Sequence, residues 1–104
     1  LHGLGDTGHG WEPVMRSMAQ RLPHFKFILP HAPQRPVTLN MGMRMPAWYD
    51  IFTLNHEDHR EDDAGILESA QMIHRLVKSE REAGVERVYV GGFSQGGVVA
   101  LSAV

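Results

Sequence analysis

The sequence predicts an α/β fold, because segments with strand and helix character alternate along its 104 residues. Residues 11–22, 62–83 and 95–104 have the apolar content of helices, and the short apolar runs 25–29 and 87–90 have the composition of strands. A strand–helix–strand order with long crossovers favours parallel pairing and right-handed connections. We therefore expect a mostly parallel sheet with flanking helices.

Composition excludes several classes of function. The formal net charge is −2 and the ten Lys and Arg residues form no basic stripe, which argues against nucleic acid as a partner. The absence of cysteine excludes a disulfide framework and a thiol nucleophile within this chain, and it agrees with a cytoplasmic location. No apolar stretch approaches the roughly 20 residues that cross a bilayer. Because residues 101–104 are still apolar and the first residue is Leu1, we expect residues 1–104 to be a partial domain of a longer chain.

The first half of the chain begins with a glycine-rich loop, residues 1–10, which we expect to follow the end of a strand. The first predicted helix has apolar residues at helical spacing and stops at Pro23. The strand at residues 25–29 is closed by Pro30. Residues 31–46 then contain three prolines and predict a long surface loop, a kind of loop that is usually functional or disordered.

Three methionines in that loop alternate along the chain: Met41, Met43 and Met45. An extended backbone would put all three on one face. Core packing and a loose acyl-chain groove explain such a face equally well, because a flexible methionine side chain suits both.

The second half of the chain predicts a long helix, a strand and a buried helix. Asp62 and Asp63 suit the positive N-terminal end of the long helix, and Gly84 is a natural stop. Its apolar face is expected to contain Ile66, Ala70, Ile73 and Val77. The helix after residue 95 is apolar on nearly every side and is therefore expected to be buried.

The most specific motif is the Gly-x-Ser-x-Gly pattern of Gly92, Ser94 and Gly96, which lies between a predicted strand and a predicted helix. This is the pattern of a nucleophile elbow, a strained turn that holds a serine hydroxyl above a sheet. Glycine at the two flanking positions removes Cβ atoms that would otherwise clash. A glycine-rich turn with an incidental serine is the alternative, and the flanking strand and helix favour the elbow.

Oxyanion donors can be predicted from the same architecture. Sites in parallel α/β sheets lie beyond the carboxyl ends of the strands, where the first loop and the elbow meet. The donors are then the N–H of Gln95, which follows the serine, and an N–H of the first loop, for which we expect Leu4 because glycines flank it on both sides. His2, His9 and His31 lie on the same edge, but their spacing selects no general base, and we expect them to bond to nearby backbone.

Two weaker motifs indicate other functions. Gly3, Gly5 and Gly8 fit a dinucleotide fingerprint, but that site needs an acid about 20 residues further on, and residues 30–32 contain none. The segment 56–59 contains two histidines and two acids and suggests a metal site, although a solvated acidic helix start explains it as well. We therefore expect neither a cofactor nor a metal.

Five motifs in sequence order resemble the acyl-protein thioesterases of the phospholipase/carboxylesterase family of α/β-hydrolases. They cover residues 1–11, 30–33, 36–40, 45–50 and 91–97. The resemblance implies an α/β-hydrolase fold and a cytoplasmic serine hydrolase that needs no cofactor. Its implied substrates are S-acylated (palmitoylated) proteins, lysophospholipids and small esters.

The resemblance also implies roles for individual residues. Ser94 matches the family nucleophile, and Leu4 and Gln95 match its oxyanion donors. The segment 41–52 matches the region beside the acyl-binding groove, which implies groove contacts for Met41, Met43, Met45 and Trp48. Ala47 and Tyr49 stand where the family usually has serine and phenylalanine, and both departures are mild.

The rest of the catalytic triad is absent from this sequence. In this fold the acid and the histidine follow the serine along the chain, and residues 95–104 contain no Asp, Glu or His. The chain alone is therefore expected to be inactive. Two alternatives stay open: a truncated, non-catalytic product that binds acyl chains or a partner, and a small-ester carboxylesterase of the same fold.

Overall fold

The computed structural model describes residues 1–55 and 57–103. Within those residues the chain forms three α-helices and one two-stranded sheet, joined by loops and two short 3₁₀ turns. In chain order the elements are α1 (Glu12–Arg21), β1 (Gln34–Val37), β2 (Met43–Pro46), α2 (Asp63–Glu82) and α3 (Gln95–Ser102). The 3₁₀ turns are Gly8–Trp11 and Thr38–Asn40.

The three predicted helices are confirmed, with ends that follow local chemistry. Asp62 caps the start of α2, because its Oδ1 accepts the N–H of Gly65 (3.0 Å) in the first turn. It ends just before Gly84, whose φ of 99° lies in the left-handed region that favours glycine. α1 carries a proline in its first turn and ends before Pro23.

The two predicted strands, residues 25–29 and 87–90, are not hydrogen-bonded strands among the described residues. A strand requires a neighbouring backbone that takes its N–H and C=O groups, and neither run has one over its length. The side chains of Phe25, Ile28 and Tyr89 are accordingly exposed. The composition of these runs therefore identified extended, apolar backbone but not its pairing.

The sheet lies instead where a loop was predicted. β1 and β2 pair antiparallel, with Gln34 opposite Pro46 and Val37 opposite Met43. Two prolines in these strands hid the hairpin, because proline usually argues against a strand unless it lies at an edge. A two-stranded sheet consists of edges only, so both prolines are tolerated.

One parallel contact is present beside the serine turn. Leu1 N donates to Gly91 O (2.6 Å), and Phe93 N donates to Leu1 O (2.9 Å). Leu1 thus bonds to Gly91 and Phe93, the two neighbours of Gly92, and this hydrogen-bond pattern is that of parallel strands. The start of the chain therefore lies alongside the segment that leads to Ser94, as the predicted parallel sheet requires.

The core lies between α2, α3 and the segment around Trp48. Its buried members are Ala32, Trp48, Ala70, Ile73, Val99 and Ala103. The prediction that α3 is buried is only half correct, because Val98 and Leu101 are 40% and 81% exposed. One side of the helix packs on α2, and the other side has no covering element in the described structure. No helix in the described residues has both the length and the apolar character to cross a membrane.

Candidate active site

Ser94 lies in a strained turn directly before α3. Its backbone φ of 54° and ψ of −117° fall outside the regions that a residue with a Cβ ordinarily adopts. Strain of this kind costs about 1–3 kcal/mol and tends to occur at functional sites. The residue is exposed, so the turn presents its side chain at the surface.

The glycines on either side of Ser94 are required by close backbone contacts, as the motif predicted. A Cβ at Gly92 would overlap the carbonyl group of Gly96. A Cβ at Gly96 would overlap the carbonyl oxygens of Leu1 and His2. The second contact shows that the first loop packs directly against the start of α3.

The two predicted oxyanion donors, Leu4 and Gln95, have backbone N–H groups that meet no acceptor among the described residues. The N–H groups around them are occupied: Gly5 N donates to Pro46 O (2.9 Å) and Gly96 N donates to Phe93 O (3.0 Å). A Cβ added at Gly3 would lie 3.4 Å from the Phe93 ring, so the first loop and the serine turn are in contact.

His2 is buried beneath the first loop. Its Nε2 accepts the N–H of Ala32 (2.9 Å), and its Nδ1 lies 2.7 Å from the carbonyl oxygen of Gly3. The expectation that this histidine bonds to nearby backbone is confirmed. Because His2 is buried and both of its ring nitrogens bond to backbone groups, it is not positioned as a base for Ser94.

Trp48 is fully buried and bonds in three directions. Its N–H donates to Gln95 Oε1 (2.8 Å) and its Nε1–H donates to His2 O (2.8 Å), while its carbonyl accepts the hydroxyl of Ser69 on α2. The Gln95 side chain also donates through Nε2 to Tyr49 O (2.7 Å). Trp48 was predicted to line an acyl groove, but its indole packs in the core, where its ring lies tilted against that of His2.

The three methionines differ in their surroundings. Met43 and Met45 lie two residues apart on β2, as the alternating pattern predicted, and Met43 is 65% exposed. Met41 does not continue that face, because it lies in the turn before β2 with a left-handed φ of 55° and is 99% exposed. The sulfur of Met45 lies 3.9 Å from where a Cβ on Gly5 would be, so this methionine is next to the first loop.

Asp50 connects the base of the hairpin to the rest of the site region. Its carboxylate accepts the N–H of Thr38 (2.8 Å) and the Thr38 hydroxyl (2.5 Å), and its own N–H donates to Asp62 Oδ2 (2.8 Å). Desolvation acts to raise the pKa of Asp50, but the bonds from Thr38 and the nearby charge of Arg35 outweigh it. The pKa of this carboxyl is therefore lowered from its ordinary value.

The other histidines of this edge have local partners. His31 Nδ1 accepts the N–H of Gly8 (3.0 Å), and His9 Nδ1 lies 3.2 Å from a carboxylate oxygen of Glu12. Gly8 is needed because a Cβ there would overlap the Leu29 carbonyl. The packing against Leu29 therefore explains why residue 8, the third glycine of the apparent dinucleotide fingerprint, is a glycine.

The suspected metal segment lies partly outside the described residues, since His56 is not among them. In its described part, Asp58 pairs with the guanidinium of Arg60 (2.7 Å). The described residues contain no group of three or more His, Asp or Glu side chains that could hold a metal ion.

The profile of the phospholipase/carboxylesterase family matches residues 1–104. The chain belongs to this family. It is 53% identical over 106 residues to acyl-protein thioesterase 1 of Yarrowia lipolytica, in an alignment that covers 98% of this chain and 47% of that protein. It is 49% identical over 109 residues to acyl-protein thioesterase 1 of Neurospora crassa, covering 97% of this chain and 44% of that protein.

Solved structures agree with that family membership. The crystal structure of Arabidopsis thaliana SOBER1 superposes with a TM-score of 0.88 at 31% identity, covering 98% of this chain and 50% of that one. The predicted fold class, an α/β-hydrolase fold, is confirmed by such neighbours. The chain spans about half the length of the phospholipase/carboxylesterase relatives that it matches.

Sequence reasoning missed the buried polar bonds that join His2, Trp48 and the Gln95 side chain. The pattern contained one usable signal, since a glutamine directly after the serine is followed by two glycines and an apolar helix. A polar side chain at the start of such a helix must find a buried partner or reach solvent. Its partners lie 46 and 47 residues away in sequence, so spacing could not identify them.

Proposed function

We propose that this chain supplies the nucleophile and the oxyanion donors of a serine hydrolase that cleaves carboxylic thioesters and esters. The observation that carries the proposal is the strained, exposed backbone of Ser94 between two glycines that cannot be enlarged. The relatives named acyl-protein thioesterase 1 support a thioester as the substrate. In this proposal the substrate is an S-acylated (palmitoylated) protein, with lysophospholipids as further substrates.

The chemistry follows from the groups at the turn. The Ser94 hydroxyl oxygen attacks the carbonyl carbon of the thioester while a general base takes its proton. The carbonyl oxygen becomes negative and accepts the N–H groups of Leu4 and Gln95. The carbon–sulfur bond then breaks and the thiolate takes a proton. Water attacks the resulting acyl-serine and releases the fatty acid.

The base and the acid of the triad are proposed to lie outside residues 1–104, in the part of the family's length that this chain does not match. His2 and His31 support this division, because both already bond to backbone groups. The chain is then a partial α/β-hydrolase domain that contains the nucleophile elbow. Without its histidine a serine triad loses about 10⁶ in turnover, so this chain alone would be inactive.

The acyl chain is proposed to contact the methionines of the hairpin. Met43 offers an exposed, flexible apolar side chain, Met41 extends from the adjoining turn, and Met45 lies beside the first loop. Methionine adapts to different apolar shapes, which suits a fatty acyl chain. A cytoplasmic location is part of the proposal because the family resemblance implies it, and fractionation of cells that express a tagged form tests it.

The test uses the complete protein, meaning this chain together with any sequence that adjoins it. Labelling by a fluorophosphonate and hydrolysis of a palmitoyl thioester are measured for wild type, Ser94→Ala and Ser102→Ala. Ser102 is the matched control, because it lies on the same helix and its hydroxyl bonds to Val98 O (2.8 Å). We expect Ser94→Ala to abolish labelling and to lower kcat by about 10⁶, and Ser102→Ala to retain both.

Labelling that persists in Ser94→Ala would refute the proposal. A complete protein that binds a palmitoyl thioester but does not turn it over identifies the non-catalytic alternative. Rapid hydrolysis of short soluble esters without hydrolysis of long thioesters identifies the small-ester carboxylesterase.

A further inference from the structure

We propose that His2, Trp48 and the side chain of Gln95 form a buried positioning network that fixes the two oxyanion donors relative to each other. The inference rests on the proposed function and adds residues that do not touch the substrate. His2, Trp48 and Gln95 are 1%, 0% and 3% exposed, so water does not compete for their bonds.

The bonds of His2 define its tautomer. Ala32 N–H donates to Nε2, so Nε2 must carry a lone pair rather than a hydrogen. In the neutral ring the hydrogen then lies on Nδ1, which donates to the carbonyl oxygen of Gly3 at 2.7 Å. Each ring nitrogen therefore has one role, and exchanging the two roles would break both bonds.

The bond to Gly3 also sets the direction of the Leu4 N–H. The peptide bond between Gly3 and Leu4 is trans, since the described residues contain no cis peptide. In a trans peptide the C=O and the following N–H point in opposite directions. When His2 holds the Gly3 carbonyl on the buried side, the Leu4 N–H must point away from the core. Asp6 N donates to the same carbonyl (3.3 Å) and supports that orientation.

The second donor is connected to the first through Trp48. The indole N–H of Trp48 holds the His2 carbonyl, and the Trp48 backbone N–H holds Oε1 of Gln95. The other end of the Gln95 amide donates to Tyr49 O. Gln95 is the first residue of α3, so fixing its side chain also fixes the start of the helix whose first N–H is the proposed donor. The two donors are thus joined by side chains from three distant parts of the sequence.

The experiment compares two His2 variants that each keep one of its two bonds. The amide nitrogen of Asn in His2→Asn can replace Nδ1–H as the donor to Gly3 O. The amide oxygen of Gln in His2→Gln can replace Nε2 as the acceptor for Ala32 N–H and leaves the Gly3 carbonyl with only the longer bond from Asp6 N. Both variants lose the ring that packs against Trp48. The matched control is the exposed His24, changed to Gln.

In the complete protein we expect His2→Gln to lower kcat about 100-fold with KM nearly unchanged, because loss of an oxyanion donor acts on the transition state. We expect His2→Asn to stay within about tenfold of wild type and His24→Gln to match wild type. Similar thermal unfolding midpoints for the two His2 variants show that the difference is not one of stability. Equal kcat values for the two variants, or a loss confined to KM, overturn the inference.

A second measurement does not depend on how the variants fold. Nitrogen-15 NMR of the wild-type protein reports which ring nitrogen of His2 carries the hydrogen. Hydrogen on Nδ1 is the expected result, and hydrogen on Nε2 overturns the inference. Failure of the proposed function is seen separately, as turnover that survives in Ser94→Ala.

Discussion

The serine turn and the hairpin formed by β1 and β2 are connected through the first loop and Trp48 but are built differently. The turn, residues 91–97, is held by close backbone contacts at Gly92 and Gly96, which leave no space for a Cβ, and by buried hydrogen bonds to distant residues. The hairpin is a two-stranded sheet whose tip carries exposed methionines. One region is fixed by many contacts, whereas the other presents flexible apolar side chains to solvent.

The difference corresponds to two kinds of chemical requirement. Stabilising an oxyanion requires N–H donors within about 3 Å of one atom, so the backbone that carries them must be fixed. Contact with an acyl chain requires only apolar area, which contributes roughly 25 cal/mol per Å² and depends little on geometry. Changes in the turn should therefore alter the rate of reaction, and changes in the hairpin should alter substrate preference or stability.

Among changes that leave Ser94 and His2 in place, the largest expected effect comes from adding one methyl group at Gly96. In Gly96→Ala the new Cβ would overlap the Leu1 and His2 carbonyls and push the first loop away from the turn. We expect a loss of about 100-fold in kcat and about 1–3 kcal/mol in stability, measured by thioester hydrolysis and urea unfolding. The control is Gly91→Ala, because a Cβ there meets nothing within 4 Å. Equal behaviour of the two variants would contradict the packing argument.

A smaller effect is expected at the hairpin. Met43→Ser removes apolar area from the proposed acyl contact, so kcat/KM for a palmitoyl thioester should fall about tenfold while that for a short acyl thioester stays the same. Met18→Ser is the control, because Met18 is also exposed but lies on α1. A parallel loss for long and short substrates would show that Met43 contributes to the turn rather than to chain-length preference.

The smallest effect is expected at the base of the hairpin. Asp50→Asn weakens the bonds from Thr38 and should cost about 1 kcal/mol of unfolding free energy at pH 7. Because folding lowers the pKa of Asp50, the wild-type carboxylate contributes stability above its ordinary value of 3.8, and that contribution disappears as the pH falls through the lowered pKa. The difference between wild type and variant should thus shrink in acid. Urea unfolding at pH 7 and pH 3 measures it, with Glu68→Gln as control; a difference that grows in acid would reverse the assigned sign.

The local parts of the site could be predicted from the sequence, whereas the pairing of distant segments could not. Gly92, Ser94 and Gly96 identify a turn because the contact of Gly92 with the Gly96 carbonyl lies within five residues, whereas the contact of Gly96 with Leu1 and His2 could not be read from the motif. The ends of α2 followed from Asp62 and Gly84 for the same reason. Such features depend on backbone geometry that neighbouring residues determine.

The sheet and the buried bonds depend on partners far along the chain. The run at residues 87–90 has strand composition, but only its continuation at residues 91–93 meets another backbone, that of Leu1. Trp48 was expected to line a groove but lies in the core, because His2 and Gln95 accept hydrogen bonds from its N–H groups there. The local spacing of residues predicts neither outcome.

The most direct test of the account is to identify the atom that carries the acyl group during turnover. The complete protein is mixed with an isotopically labelled palmitoyl thioester, quenched in acid within milliseconds and mapped by peptide mass spectrometry. The account predicts one palmitoyl mass increment, located on Ser94. An increment on another residue, or rapid turnover with no acyl-protein at any quench time, would contradict it.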